Sequence, residues 1–204
     1  MRLWPYLLLI MALIAVILLP GASAEWLKPD AAYSAVRVMR SGGMEMRGPV
    51  HHDNGKERWE VAPQGMRQVM IRRPDQERML MILPDMNMGM ELDLSQAKQV
   101  PSAESYAAKQ PERLGREEVG GEMTTKYRLV EDGGQGPITM LFWVTDDGIP
   151  LRMEGSGAQG NFEMLLSDLK RGAQDAGLFE PPAGLQLMPA NPAMLGPMMG
   201  GAAQ

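Results

Sequence analysis

Residues 77–94 read ERMLMILPDMNMGMELDL. Ahead of Pro84-Asp85, Met79, Met81 and Leu83 fall on one side of an extended chain, and Leu80 and Ile82 on the other. After it, Met86, Met88, Met90, Leu92 and Leu94 share one side, opposite Asn87, Gly89, Glu91 and Asp93. A period of two marks antiparallel strands with a buried face. Proline presets the backbone at the second position of a tight turn, so Pro84-Asp85 predicts the reversal between them. The stretch is a hairpin whose first strand is apolar on both sides and whose second carries a methionine stripe.

The same alternation recurs outward in both directions. Upstream lie Val36-Arg37-Val38, a Gly42-Gly43 break, then Met44 and Met46 against Glu45 and Arg47. Asn54-Gly55 is a type I′ hairpin pair; beyond it Trp59 and Val61 alternate with Arg58 and Glu60, and Val69 and Ile71 repeat the pattern with Met70 behind. Residues 26–34 are ambiguous between a short helix and a lead-in to a strand. Downstream, Ser102 as N-cap and Pro111 as stop define one helix over 102–110. Thr125, Tyr127 and Leu129 then share a side, as do Ile138, Met140, Phe142 and Val144. Leu141 and Trp143 make that strand apolar on both sides, which predicts a central position. Asp146-Asp147-Gly148 turns the chain into Ile149, Leu151 and Met153, and Phe162, Met164 and Leu166 form the last clear strand.

Strands at hairpin spacing with one helix define a mainly β (α+β) fold. A sheet of this size must curl or close unless something covers it. The expected architecture is therefore a curved antiparallel sheet, an incomplete β-barrel, with a short helix or helices capping the concave face.

Arg2, an apolar run over 7–19 and Ala22-Ser23-Ala24 describe a signal peptide, residues 1–24, cleaved after Ala24. The run is short for a bilayer span of about 20 residues, so an uncleaved anchor is the lesser alternative. Cleavage removes Arg2 and moves the formal charge from −5 to −6. The product is expected to be periplasmic and not membrane-spanning. An acidic chain without a basic block argues against nucleic acid. With no cysteine, disulfides and thiolate metal sites are excluded. One domain, 25–187, is followed by an aperiodic Met/Pro/Gly/Ala tail, 188–204, expected to be disordered.

Methionine is the compositional oddity: 20 against 3 Phe. Core filling accounts for some, because a thioether fits irregular gaps. Its three rotatable bonds also make it a poor specifier of one packing and a good wall for flexible apolar ligands. The expected ligand-binding set is Met44, Met46, Met79, Met81, Met86, Met88, Met90, Met140 and Phe142. It would receive a lipid, an acyl chain or another apolar molecule, with an envelope protein partner as the alternative. Thioethers also suit Cu(I), and Met86-Asn87-Met88-Gly89-Met90 with Met194, Met198 and Met199 is the third reading. His51 and His52, the two histidines, point to opposite faces of a strand.

Nothing points to an enzyme or a cofactor. Residues 155–160 spell G-x-G-x-x-G but join two strands rather than opening a helix, which makes them a hairpin loop. No serine sits in a nucleophile elbow, Asp146-Asp147 is turn chemistry, and Arg72-Arg73 reads as a solvated strand end with an anionic head group as the rarer use.

Several stretches carry a resemblance when taken together: the leader, Met44-Glu45-Met46, the 79–90 hairpin, TKYRL at 125–129, FWVTDDGIPLRME at 142–154 and LFEPPAGL at 178–185. The set, spanning roughly 35–189, resembles an exported bacterial family of domains of unknown function similar to the lipoprotein-carrier (LolA/LolB-like) superfamily. That resemblance implies an incomplete antiparallel barrel holding an apolar cavity under helices.

Overall fold

A computed structural model of the chain describes residues 26–95, 106–132, 136–158 and 160–190. The expected leader, the Ser102 cap and the tail methionines Met194, Met198 and Met199 lie outside the described residues.

Twelve strands run in chain order: β1 (Tyr33–Ser41), β2 (Met44–Asp53), β3 (Lys56–Val61), β4 (Gln68–Arg73), β5 (Arg78–Leu83), β6 (Met88–Asp93), β7 (Glu112–Val119), β8 (Glu122–Asp132), β9 (Pro137–Thr145), β10 (Pro150–Gly157), β11 (Gly160–Arg171) and β12 (Gln186–Pro189). They form one open sheet in the order β12-β6-β5-β4-β3-β2-β1-β11-β10-β9-β8-β7. Two meanders, β1–β6 and β7–β11, are therefore sewn together along β1 and β11. Every described pairing is antiparallel except β12 on β6, which is parallel. The result is the mainly β, curved, unclosed sheet expected from the sequence, with one parallel strand added at an edge.

Turn chemistry explains the tight reversals. Asn54 and Gly55 both take positive φ, 49° and 79°, which is the I′ turn that matches strand twist. Three successive hairpins then reverse through Pro63, Pro74 and Pro84, each opening a short 3-10 turn. In the second and third, Glu77 and Asn87 close the turn in the left-handed region, each donating its N–H to the proline carbonyl at 3.1 Å. The third of these is the expected Pro84-Asp85 turn. It takes in Met86, which therefore leaves the strand: β6 starts at Met88.

Four further placements differ from the sequence reading. Trp59 pairs with Met70, so Val69 and Ile71 lie on the opposite face from Trp59 and Val61. Residues 155–157 are the end of β10, so the loop is confined to the short interval before β11 begins at Gly160. β7 has no alternation because it is an edge strand exposed on both faces, and its five charged residues suit an unpaired edge. Met188 and Pro189, assigned to the tail, lie in β12, which is exposed throughout.

Of the expected helix, Tyr106 and Ala107 are helical, and Lys109 N–H closes the turn on the Tyr106 carbonyl at 2.9 Å. Tyr106 and Trp26 pack on Phe142, with ring centroids 5.6 and 5.0 Å away, and the Trp26 indole N–H donates to the Lys109 carbonyl at 3.1 Å. These segments cover the face of β8 and β9 that carries Tyr127 and Phe142.

Candidate functional site

Pairing register decides which side chains share the capped face. Across β2, β3, β4, β5, β6 and β12, one row runs Val50, Trp59, Met70, Met81, Met90, Met188. A second row, across β2, β1, β11, β10, β9 and β8, runs Met46, Met39, Met164, Met153, Phe142, Tyr127. Directly opposed side chains on one face sit close enough to touch. Each row thus makes a ladder of thioethers contributed by four different strands.

Of the expected set, Met79, Met81, Met88 and Met90 share this face with Met44, Met46, Met140 and Phe142, as their strand pairings require. Met81, Met140 and Phe142 are buried; Met46, Met79, Met88 and Met90 are half-buried; Met44, near the β1–β2 turn, is 63% exposed. Met86 is in the Pro84 turn and 56% exposed, so it leaves the stripe, and the run 86–90 places only Met88 and Met90 on this face. Met39, Met70, Met153 and Met164 join the face without having been singled out. They lie on strands of mixed composition, and only the register brings them into line.

Gly155 pairs with Phe162, whose ring lies where a Cβ would stand, 1.9 Å from it. Gly48 has β3 against it: an added Cβ would come within 1.7 Å of the Glu60 carbonyl oxygen. These close approaches are what glycine allows within a strand.

The ladders flank a polar patch on β1–β4, where Tyr33, His52, Glu57 and Arg72 are successive register partners. Arg37 reaches across β2 to Glu57 in a bidentate pair at 2.7 and 2.6 Å, its guanidinium 5.5 Å from the Trp59 ring centroid. Tyr33 and His52 stack with centroids 5.0 Å apart. Burial pushes the Tyr33 hydroxyl up, and the Glu57 charge adds to it. Burial alone would raise the Glu57 carboxyl, but the Arg37 charge and hydrogen bonds outweigh it and hold the group below its ordinary value. Burial lowers His52, against the pull of Glu57 and Asp53. The patch was legible in principle: Arg37, His52 and Glu57 alternate with apolar residues on their own side of each strand.

The outer face is different chemistry. Arg40 and Arg152 both reach Glu163, at 2.9 and 3.2 Å, and Trp143 lies beneath Lys126 and Arg152, at 4.4 and 5.0 Å. Over β4 and β5 this face is apolar and sealed by Phe179. Arg73 is buried there, bonded to Asp75 and Glu180 and donating to the Phe179 carbonyl at 3.3 Å; it is a latch for the C-terminal segment, not a solvated strand end. Two hollows of about 460 and 400 Å³ open on the outer face, and none of the nine expected residues lines either. Among the described residues no cluster of three or more His, Asp or Glu could hold a metal ion, and no helix is long and apolar enough to cross a membrane.

The described residues thus form an open curved sheet with one largely apolar face, covered in part by the Trp26 and Tyr106 segments. Residues 51–147 match the family described as Domain of unknown function (DUF4412). The match is to a domain-of-unknown-function family, as the resemblance carried by the sequence implies, and the open curved sheet agrees with the fold that resemblance implies. No curated protein matches the chain. Among solved structures, an uncharacterized conserved protein from Thermus thermophilus is similar at 14% identity and a TM-score of 0.56, covering 78% of this chain and 91% of its own. A chain of the Pseudomonas aeruginosa MucA/MucB complex is similar at 14% identity and a TM-score of 0.53, covering 81% of this chain and 61% of its own. At these identities the likeness is one of fold.

Proposed function

We propose that this protein is a periplasmic, non-enzymatic binding or carrier protein for an acyl chain, a lipid or a similar apolar molecule, held against the methionine face. The observation that carries the reading is the pair of thioether ladders, half-buried along much of their length. A core built only for stability would bury such surface in side chains with fewer rotamers. A wall that must follow a flexible hydrocarbon gains from unbranched, polarizable ones.

The energetics suit transfer. Each methylene moved from water to an apolar wall gains about 0.8 kcal/mol, and a bilayer offers about the same. Exchange between membrane and protein is then close to neutral, which is what a carrier needs. The leader at 1–24 supports export to the periplasm. Native mass spectrometry of protein purified from periplasm, with extraction of bound lipid, tests the proposal. A co-purifying lipid is expected; its absence, with no binding of a fluorescent fatty acid, contradicts it.

The fold likeness to a chain solved in the MucA/MucB complex favours a second reading, an envelope module that docks a protein. Crosslinking in cells separates the two: one dominant protein adduct supports docking, and lipid adducts alone support the carrier.

A further inference from the structure

The β1–β6 meander sorts its turns by end. Consecutive antiparallel strands place every second turn on the same rim, so the β1–β2, β3–β4 and β5–β6 tips stand at one end and the β2–β3 and β4–β5 tips at the other. The first rim carries Met44, Met66 and Met86, one at each tip, 63%, 49% and 56% exposed. The other rim reads Asp53-Asn54-Gly55-Lys56 and Pro74-Asp75-Gln76-Glu77, with no apolar residue but the proline. Two tips form a matched pair. The turns at Pro74 and Pro84 share their 3-10 geometry, a left-handed closing residue and an exposed third position, held by Gln76 at one rim and Met86 at the other. Turn geometry therefore asks for no thioether there. A single exposed apolar residue is ordinary; one at every tip of one rim, against none on the opposite rim of the meander, marks a surface that meets something.

The tips are held in place. Pro63 and Pro84 open the two turns, Met66 donates its N–H to the Pro63 carbonyl at 3.0 Å, and Arg67 bridges to Asp85 at 3.2 Å between them. Tips two strands apart lie about 10 Å from each other, so the methionines are separate points fringed by charge. A stable protein interface needs a packed, contiguous core and about 800 Å² per partner. Attachment to a bilayer surface scales with the apolar area sunk into the head-group layer and asks for no fixed shape. The methionine face also runs into this rim. Met46 follows Met44 by two residues and Met88 follows Met86, both half-buried on that face.

We propose that the rim bearing Met44, Met66 and Met86 is a bilayer-docking edge, whose three thioethers insert among lipid head groups where the methionine face opens. The proposal rests on the carrier reading above and adds the surface at which exchange takes place. A chain of formal charge −5 is not drawn to anionic lipid. Attachment therefore comes from the thioethers, and it holds on zwitterionic membranes and at high salt.

The test is flotation of periplasm-purified protein with phosphatidylcholine vesicles at low and high salt. Wild type is expected to float in both. Met66→Gln/Met86→Gln keeps side-chain length and removes the apolar tips; Met44 stays, because it also borders the ligand face. This variant is expected to partition about tenfold more weakly, the factor that one fully buried thioether supplies, and to bind laurate as wild type does. Met123→Gln, 49% exposed at the opposite end of the sheet, is expected to float like wild type. Wild type that stays unbound, a double variant that floats as well as wild type, or an equal loss in Met123→Gln overturns the docking edge. Self-association through the rim in place of vesicle binding assigns it to a second copy and overturns the proposal too. In each of these cases laurate binding by wild type leaves the carrier reading standing; flotation without laurate binding keeps the docking edge and overturns the carrier.

Discussion

Replacing Glu57 with leucine would leave the Arg37 guanidinium inside the sheet without its counter-charge. The wild-type pair makes two hydrogen bonds at 2.7 and 2.6 Å, and the side chains are 13% and 28% exposed, so both charges are largely withdrawn from water. Removing one member of a buried pair costs about 3–5 kcal/mol, chiefly for the charge left behind. The exposure of Glu57 lets some water reach the vacated position, which places this site at the lower end, about 3 kcal/mol. For a domain of this size that lowers Tm by about 6–12 °C. The double variant Arg37→Met/Glu57→Leu removes both charges and is expected within about 1 kcal/mol of wild type, because apolar replacement of a whole pair is close to neutral. Thermal unfolding at pH 7, followed by far-UV circular dichroism, measures both. A Glu57→Leu midpoint within about 2 °C of wild type, or a double variant as unstable as the single one, would refute the buried-pair argument.

Three other outcomes follow from the same contacts. His52 is held below its ordinary 6.5, so the unfolded chain takes up a proton that the fold refuses; stability should fall as pH drops below 6.5, and His52→Phe should flatten that part of a pH–Tm curve. Glu57 contributes in the same direction from 4.5 downward, because its carboxyl too is lowered in the fold. Gly48→Ala puts a Cβ 1.7 Å from the Glu60 carbonyl, a backbone atom that cannot rotate away, and should destabilise by about 1–3 kcal/mol in urea unfolding. Phe179→Ala empties a fully buried site against Val69, Ile71, Leu80 and Ile82 and should cost about 3–5 kcal/mol, with faster proteolysis between Gly172 and Ala190 as the local readout.

The alternation at 77–94 was legible because a strand with one buried face writes its burial into a period of two. Asn54-Gly55 and Pro84-Asp85 were legible because turn backbone angles restrict residue type locally. β7 was not, since neither of its faces is buried and nothing forces its residues to alternate. β12 was not, because four exposed residues held by backbone bonds to β6 need no particular side chains. Arg73 looked like a solvated strand end, and its burial is imposed by Phe179 and Glu180, more than 100 residues later. The methionine stripe was visible strand by strand. Its continuation into ladders through Met39, Met70, Met153 and Met164 depends on pairing register, which a single sequence states only where a turn fixes it. Met86 shows the opposite failure, since the turn claimed a residue that the period assigned to the strand.

The methionine face can be read directly by methyl NMR of protein labelled at methionine Cε, titrated with a fatty acid. The account predicts shifts at Met39, Met46, Met70, Met81 and Met90, on the ladders, and none at Met66 and Met86, which sit in exposed turns away from them. Unmoved ladder methyls, or changes concentrated at Met66 and Met86, would contradict it.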